Sequence, residues 1–344
     1  MIPFELPFGA NIAIFVASAI AVWFAGSHLA RYADAIAERT GIGREFLGII
    51  MLGGVTSLPE LAVATSATLQ GTPLLSISDV LGSAAINVVI LAIADAYIGR
   101  GALTSIQGSP GVMLQGVLGI VLMAMVAGSY VAGDSLILGI GAWSWLMLLV
   151  YLGSIALLAN SRAGTAWSAS KYEPYEATEE DVERAGRHAL HALIWRSLAA
   201  GAVILVAGFL LARSGESLAQ QTGLGTGFFG MVFLGFSTSL PEVSTVLSAM
   251  RLRRYEMAIS DVFGTNLFNV TIIVLVDALS PGEPVLSEAG AITSFGALMA
   301  LVLTALYLIG MLERRDRTIL RMGYDSVAVI VAYFGGVAVL YGLR

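Results

Sequence analysis

Two glutamates stand where a membrane-type sequence tolerates them least. Glu60 lies in "GGVTSLPELAVATS" (Gly53 to Ser66) and Glu242 in "GFSTSLPEVSTVLS" (Gly235 to Ser248). Each follows Thr-Ser-Leu-Pro, so each carboxylate arrives with two hydroxyls, Thr56 and Ser57 or Thr238 and Ser239. On a helix, Thr56 and Glu60 are i,i+4 and Ser57 and Glu60 are i,i+3, which places them on one face. Pro59 has no N–H to donate and its ring clashes with the carbonyl four residues earlier, and Pro241 repeats the arrangement. The spacing predicts loosened carbonyls over Gly53 to Thr56 and Gly235 to Thr238. At membrane depth such groups persist only where protein, water or a bound ion satisfies them. A charge near the bilayer centre costs several kcal/mol unless it is paired, protonated or hydrated. Two carboxylates of this kind, facing one another, would favour a cation.

A second stripe follows each motif. Asp79, Ser83 and Asn87 recur every four residues and share a helix face, as do Asp261, Thr265 and Asn269. Ser83, Thr265 and the Asn87 and Asn269 amides are expected to complete an oxygen cage around the glutamates. The donors are hard oxygens without thiolate or imidazole, which suits Ca²⁺ or Na⁺ rather than copper or zinc. Asp79, Asp261, Asp95 and Asp277 each lie eight residues from their asparagine, about 12 Å along a helix. They are expected either to line access vestibules or to act as hydrated interfacial caps, outside the central site.

The elements that must hold these residues are apolar. The chain has 344 residues, 57% hydrophobic and 12% charged, about half the charge of a soluble domain. Its apolar runs are continuous and approach the ~20 residues that cross a bilayer, so the fold class is all-α integral membrane rather than β-barrel. Cysteine is absent and His28, His188 and His191 form no HExxH pair. That leaves little for a thiol or zinc enzyme, and no enzymatic activity, cofactor or nucleic-acid partner is expected. The N-terminus lacks a basic segment and reads as a retained first helix.

Ten spans are expected, at 9–30, 43–70, 74–98, 108–130, 135–159, 193–213, 225–250, 256–279, 288–312 and 324–342. With the N-terminus outside, all of the 18 Lys and Arg residues except Arg213 and Arg344 fall in inside loops, as the positive-inside rule requires. Both termini are then outside, and the polar loop at 160–192 is inside, as a solvated linker with a short surface helix after Thr178.

The sequence also overlays on itself at an offset of 182 residues. "TSLPE" at 56–60 meets "TSLPE" at 238–242, and "ISDVLGSAAINVVI" at 77–90 meets "ISDVFGTNLFNVTI" at 259–272, with no gap from Gly26/Gly208 to Ala96/Ala278. Two homologous halves follow, residues 1–159 and 193–344, each with a central repeat (43–98 and 225–279). Five helices per half is an odd number, so the halves insert in opposite directions. Inverted repeats of this kind build secondary transporters, with the site near the midplane at interrupted helices.

At the duplicated "TSLPE" and the paired "GSAAIN" and "GTNLFN" elements, the sequence resembles the cation/Ca²⁺ antiporter superfamily, in particular its sodium/calcium exchanger-like branch. The resemblance covers nearly the whole chain. It implies alternating access, with inward Na⁺ driving Ca²⁺ outward. It implies direct Ca²⁺ ligation by Glu60 and Glu242, with Thr56, Ser57, Thr238, Ser239, Ser83, Thr265, Asn87 and Asn269 around them and flanking Na⁺ sites. The first and sixth helices, 9–30 and 193–213, look like those that slide across the core. Ala84 departs from the family's "GSN" element, which Asn266 keeps, and Asn269 stands where some microbial relatives carry Asp. The proton-exchanging branch usually shows Gly-Asn-x-x-Glu in place of "TSLPE". The expected protein is a monomeric Na⁺/Ca²⁺ antiporter in a prokaryotic inner membrane, in contact with the lipid bilayer, with Ca²⁺/H⁺ or another cation/H⁺ exchange as the alternative. An ion channel and a serine-based intramembrane hydrolase are the more distant readings.

Overall fold

A computed structural model describes residues 6–40, 53–98, 103–106, 110–161, 190–251, 255–288, 290–313, 318–319 and 321–344. Most of the linker expected at 160–192, including the surface helix after Thr178, lies outside the described residues. So does the start of the helix expected at 43–70.

The chain is built from helices in a repeating order. The first part contains α1 (Phe8–Thr40), the short α2 (Gly53–Thr56), α3 (Leu58–Leu69), α4 (Pro73–Ile98), the short α5 (Leu103–Ile106), α6 (Pro110–Ala132) and α7 (Ala142–Ser161). The second contains α8 (Leu190–Thr222), α9 (Thr226–Phe229), a π-helical stretch (Gly230–Leu234), α10 (Gly235–Thr238), α11 (Leu240–Arg251), α12 (Tyr255–Leu279), α13 (Val285–Glu288), α14 (Ala291–Glu313) and α15 (Tyr324–Leu343). Among the described residues seven helices are long and apolar enough to cross a membrane, and the bent pair Thr226–Thr238 and Leu240–Arg251 makes an eighth. Helix α7 is apolar over the shorter stretch Ala142–Leu158.

Helices α4 and α12 form the centre. Of the most apolar window of α4, 94% is buried, against 17% for α1 and 22% for α8. A helix buried on all sides must be apolar all round, and the α4 sequence "PLLSISDVLGSAAINVVILAIADAYI" satisfies this apart from its polar stripe. Pro73 at its first position needs no hydrogen-bond partner for a missing N–H. Around this centre, α6 and α14 pack together and on the hub, while α1 and α8 lie against each other on the outside. Helix α8 packs on α3, and α1 reciprocally on α11.

Three local features differ from expectation. Helices α1 and α8 each run 33 residues, about 50 Å, roughly ten residues past the expected ends. Their final turns, in "RYADAIAERT" and "RSGESLAQQT", are polar, so hydropathy falls where the helix continues. The segment expected to begin a helix at 135 instead starts with a hairpin, Leu136–Ile137 paired with Ile140–Gly141. Leu138 and Gly139 both have positive φ, 55° and 82°, the requirement of the tightest hairpin turn. A matching hairpin pairs Thr318–Ile319 with Met322–Gly323, and Arg321 there has φ 67°.

These hairpins explain two of the four aspartates. Asp95 accepts from the backbone N–H of Leu103 (2.5 Å) and of Gly323 (2.6 Å). Asp277 accepts from Val285 N–H (3.0 Å) and Gly141 N–H (2.6 Å). Every member of the second set is the first set's counterpart at the 182-residue offset. Each aspartate thus ties the end of its own central helix to the following short helix and to the hairpin of the other half. Neither expectation describes them: they are 0% and 2% exposed, so they neither line a vestibule nor sit hydrated at the interface, but fasten buried backbone amides.

Hydrogen bonds to a charged acceptor contribute about 1.5–3 kcal/mol each. Asp95→Ala and Asp277→Ala should therefore each lower stability by roughly 2–4 kcal/mol, read as a fall in melting temperature of the detergent-solubilised protein. Glu283→Ala, which removes an exposed carboxylate from the loop between α12 and α13, should have the smaller effect.

Candidate cation site

The two "TSLPE" segments break their helices at equivalent points. Ser57 separates α2 from α3 at φ −80°, ψ 6°, and Ser239 separates α10 from α11 at φ −80°, ψ 4°. The second break bends the helix pair by 44°. Proline supplies the cause: Pro59 and Pro241 can donate nothing to the turn before them. The carbonyls are less free than the sequence suggests, however. Gly235 C=O still accepts from Ser239 N–H (3.2 Å) and also lies within reach of the Ser83 (3.3 Å) and Thr238 (3.3 Å) hydroxyls. Leu61 N–H bonds Ser57 C=O at 3.0 Å, so α3 restarts at once after the break.

The breaks set the glutamates into the hub. Glu60 and Glu242 are both 0% exposed, and none of their four carboxylate oxygens has a hydrogen-bond partner. The hydroxyls of Ser83 and Thr238 lie beside Glu60, and that of Thr56 beside Glu242, without reaching hydrogen-bond geometry on either. The two carboxylates are close enough to repel one another.

Around them the predicted ligands pair across the halves. Thr56 Oγ1 is 3.1 Å from Thr265 Oγ1, and Ser83 Oγ is 2.9 Å from Thr238 Oγ1. Each bond joins a "TSLPE" threonine of one half to the central-helix hydroxyl of the other. Ser57 and Ser239 are buried at the two breaks, and Ser239 Oγ has no partner. Asn87 and Asn269 are also fully buried. Asn87 donates to Asn266 Oδ1 (3.0 Å), and Asn266 donates to Ala84 C=O (2.9 Å). Both polar atoms of Asn269, and Oδ1 of Asn87, are unpartnered. The structure thus sets Thr56, Thr238 and Ser83 beside the glutamates, brings in Thr265 through Thr56, and holds Asn87 through Asn266.

Two further residues belong here. Asp79, placed by its spacing outside the central site, accepts from Thr238 Oγ1 at 3.0 Å and is 0% exposed. It lies close enough to Glu60 for the two charges to interact. Asn266 bridges α12 to α4, and the sequence signal for it was the unequal pair Ala84 and Asn266 at one repeat position. Distance along a single helix misled in the case of Asp79: its neighbour is the other half's threonine, not its own Asn87.

The site needs close backbone approach. A Cβ at Gly82 would lie 2.0 Å from Met231 C=O, and one at Gly235 would lie 2.7 Å from Ser83 N. Glycine at these two points lets α4 touch the π-helical stretch and α10. π-Stretches are often found at functional sites. Among the described residues no three His, Cys, Asp or Glu side chains converge in metal-holding geometry. A cation there must take hydroxyl, amide and carbonyl oxygens in addition to carboxylate, which is the chemistry of Ca²⁺ and of alkali ions.

A helical membrane protein with a buried, hydroxyl-lined pair of carboxylates at two broken helices belongs, as a class, among cation-handling membrane proteins. The chain is a member of the sodium/calcium exchanger protein family, whose model matches residues 10–171 and 192–342. It is 25% identical over 332 residues to the proposed antiporter CaxA of Alkalimonas amylolytica, covering 95% of this chain and 97% of that protein. It is 26% identical over 274 residues to the inner membrane protein YrbG of Escherichia coli K12, covering 79% and 80%. Among solved structures it resembles the sodium-calcium exchanger NCX_Mj with a TM-score of 0.61 at 16% identity, covering 96% of this chain and 99% of that one. It resembles the H⁺/Ca²⁺ exchanger CAX with a TM-score of 0.70 at 12% identity, covering 97% and 85%. Likeness at such identities speaks to the fold.

Gly82→Ala should force α4 away from the π-helical stretch and with it Ser83 from Thr238. The expected outcome is a folded protein whose Ca²⁺ affinity, by isothermal titration calorimetry, falls by about tenfold or more. Gly119→Ala, where a Cβ meets nothing within 4 Å, should leave affinity unchanged.

Proposed function

We propose that this protein is a secondary active antiporter that exchanges Na⁺ for Ca²⁺ by alternating access through one oxygen-lined site. The observation that carries the reading is the pair Glu60 and Glu242: fully buried, close enough to repel, and without a hydrogen bond on any of four oxygens. Two carboxylates balance one Ca²⁺ in charge, and a cation supplies what the protein withholds. Glu60 and Glu242 bind Ca²⁺ directly. Thr56, Ser57, Thr238, Ser239, Ser83, Thr265, Asn87 and Asn269 supply the neutral oxygens that complete a shell of six to eight. Na⁺ replaces Ca²⁺ on overlapping oxygens, and that competition couples the two movements. The protein carries out transport, not catalysis.

The architecture proposed with this function is two inverted five-helix halves. It is supported by the reciprocal bonds of Asp95 and Asp277 and by the crossed hydroxyl pairs Thr56–Thr265 and Ser83–Thr238. The charge distribution supports both termini outside a prokaryotic inner membrane. The protomer carries both halves of the site, so a monomer suffices.

H⁺ in place of Na⁺ is the second reading. It is favoured by one observation: Asp79 and Asp261 raise the buried carboxylates of this region to four, all but Asp261 at 0% exposure and that one at 5%. Two of these remain unbalanced when one Ca²⁺ is bound, and a proton neutralises a buried carboxylate without needing further oxygen ligands.

Purified protein in Na⁺-loaded proteoliposomes, diluted into Na⁺-free buffer, should take up ⁴⁵Ca²⁺. Glu60→Gln and Glu242→Gln should each abolish uptake. Uptake driven by a pH gradient and indifferent to Na⁺ would transfer the coupling to H⁺, and uptake that persists in both variants would remove the glutamates from the site.

A further inference from the structure

Asp79 and Asp261 occupy equivalent positions in the sequence repeat, yet their surroundings differ in kind. Asp79 Oδ1 takes its hydrogen bond from Thr238, on α10 of the other half (3.0 Å). The same Thr238 hydroxyl is 2.9 Å from Ser83 Oγ and lies beside Glu60. Asp261 Oδ2 takes its bond from Thr245, on α11 of its own half (2.6 Å), and its Oδ1, like Asp79 Oδ2, is buried without a partner, so the two differ in which half holds them rather than in free oxygens. The residue equivalent to Thr245 is Val63, which offers no donor, so nothing comparable holds Asp79 within its own half.

The remaining oxygens carry the point further. Asp79 is 0% exposed, and its Oδ2 is buried without a partner. Both oxygens of the adjacent Glu60 are likewise buried and unpartnered. Two carboxylates that repel one another, with three free oxygens between them, point to a positive ligand. The Ser83 and Thr238 hydroxyls and the Gly235 carbonyl are gathered at the same place.

We propose that Asp79 is a charged ligand of the transported cation at a sub-site on the Glu60 side, together with Glu60, Thr238, Ser83 and the Gly235 carbonyl, while Asp261, tied by Thr245 within its own half, contributes no ligand. The inference rests on the exchanger reading and adds a selectivity determinant to it. Two carboxylates on the Glu60 side place a charge of −2 opposite a single ion, which favours a divalent over a monovalent cation. On the Glu242 side, one oxygen of Asp261 is tied to Thr245 of its own helix pair, although the carboxylate lies close enough to Glu242 for the two charges to interact. The site is therefore unequal across its two halves even though the "TSLPE" motifs are identical.

Calorimetry on the purified full-length protein, with CaCl₂ titrated at several fixed NaCl concentrations, separates the possibilities. Asp79→Asn should weaken Ca²⁺ binding by about tenfold or more, with a smaller change in the Na⁺ concentration that competes, so that the Ca²⁺ to Na⁺ preference falls. Asp261→Asn should change that preference by less than about twofold, even where it lowers the melting temperature through loss of the Thr245 bond. Should Asp79→Asn fail to stay monodisperse, Asp79→Glu serves. It keeps the charge but moves the oxygens by one methylene, and should shift the same preference by about threefold or more. An unchanged preference in whichever Asp79 variant folds, with wild type binding Ca²⁺ normally, overturns the assignment and leaves the exchanger reading intact. An equal loss in Asp79→Asn and Asp261→Asn overturns the inequality. Wild type that binds no Ca²⁺ overturns the exchanger reading and this assignment together.

Discussion

The structure is organised around the burial of two like charges with nothing bonded to them. In a low-dielectric interior a bare carboxylate costs several kcal/mol, and the fold holds two within range of each other. Such an arrangement is stable only when the surrounding framework is rigid enough to prevent collapse and roomy enough to admit a compensating ion. The burial of α4, and to a lesser degree of α12, supplies the rigidity, and the breaks at Ser57 and Ser239 set the carboxylates inside it. The glycines that let α4 meet the π-helical stretch keep the two close enough for hydroxyls of one half to reach those of the other.

The central helices divide their polar residues by depth. On α4, Asp79, Ser83 and Asn87 face the site or its bridge, while Asp95, two turns beyond Asn87, faces backbone amides at the helix end. On α12, Asp277 does the same. A carboxylate that accepts two amide bonds is a fastener, whereas one left with free oxygens is a receptor. The same residue type serves both ends of the problem because its hydrogen-bond supply differs. The fasteners link each central helix to the hairpin of the opposite half, so the hub is tied at its ends and open at its middle.

Much of this was legible in the sequence. The two glutamates, their hydroxyls and the offset that relates them are local patterns, and the structure sets Thr56, Thr238 and Ser83 beside the glutamates while Ser57 and Ser239 mark the helix breaks. What periodicity cannot convey is which half a side chain meets. Thr56 shares a face with Glu60 on paper, but its hydroxyl pairs with Thr265 and lies beside Glu242. Asp79 was set aside because of its distance from Asn87 along one helix, when the relevant neighbour was Thr238 from the other half. The Gly235 carbonyl, expected to be released by Pro241, keeps its helical partner and accepts side chains as well. The hairpins after α6 and α14 escaped notice because a four-residue strand pair leaves little signature inside an apolar run. The polar ends of α1 and α8 escaped because hydropathy reports the bilayer and not the helix.

The crossed hydroxyl pairs give the site a property that a rigid cage would lack. A neutral hydrogen bond contributes about 0.5–1.5 kcal/mol net, so Thr56–Thr265 and Ser83–Thr238 satisfy their own donors at little cost to an incoming ion. A hydroxyl can turn its lone pairs to a cation and direct its proton to a neighbouring carboxylate, exchanging one partner for another without leaving a buried group unpaired. The carboxylates have no such alternative, because no donor holds them. Occupancy by a cation would therefore be strongly felt by Glu60 and Glu242 and weakly by the hydroxyls. That separation lets one shell accept ions of different charge in turn, with the carboxylates setting how much positive charge must be present and the hydroxyls adjusting to its size.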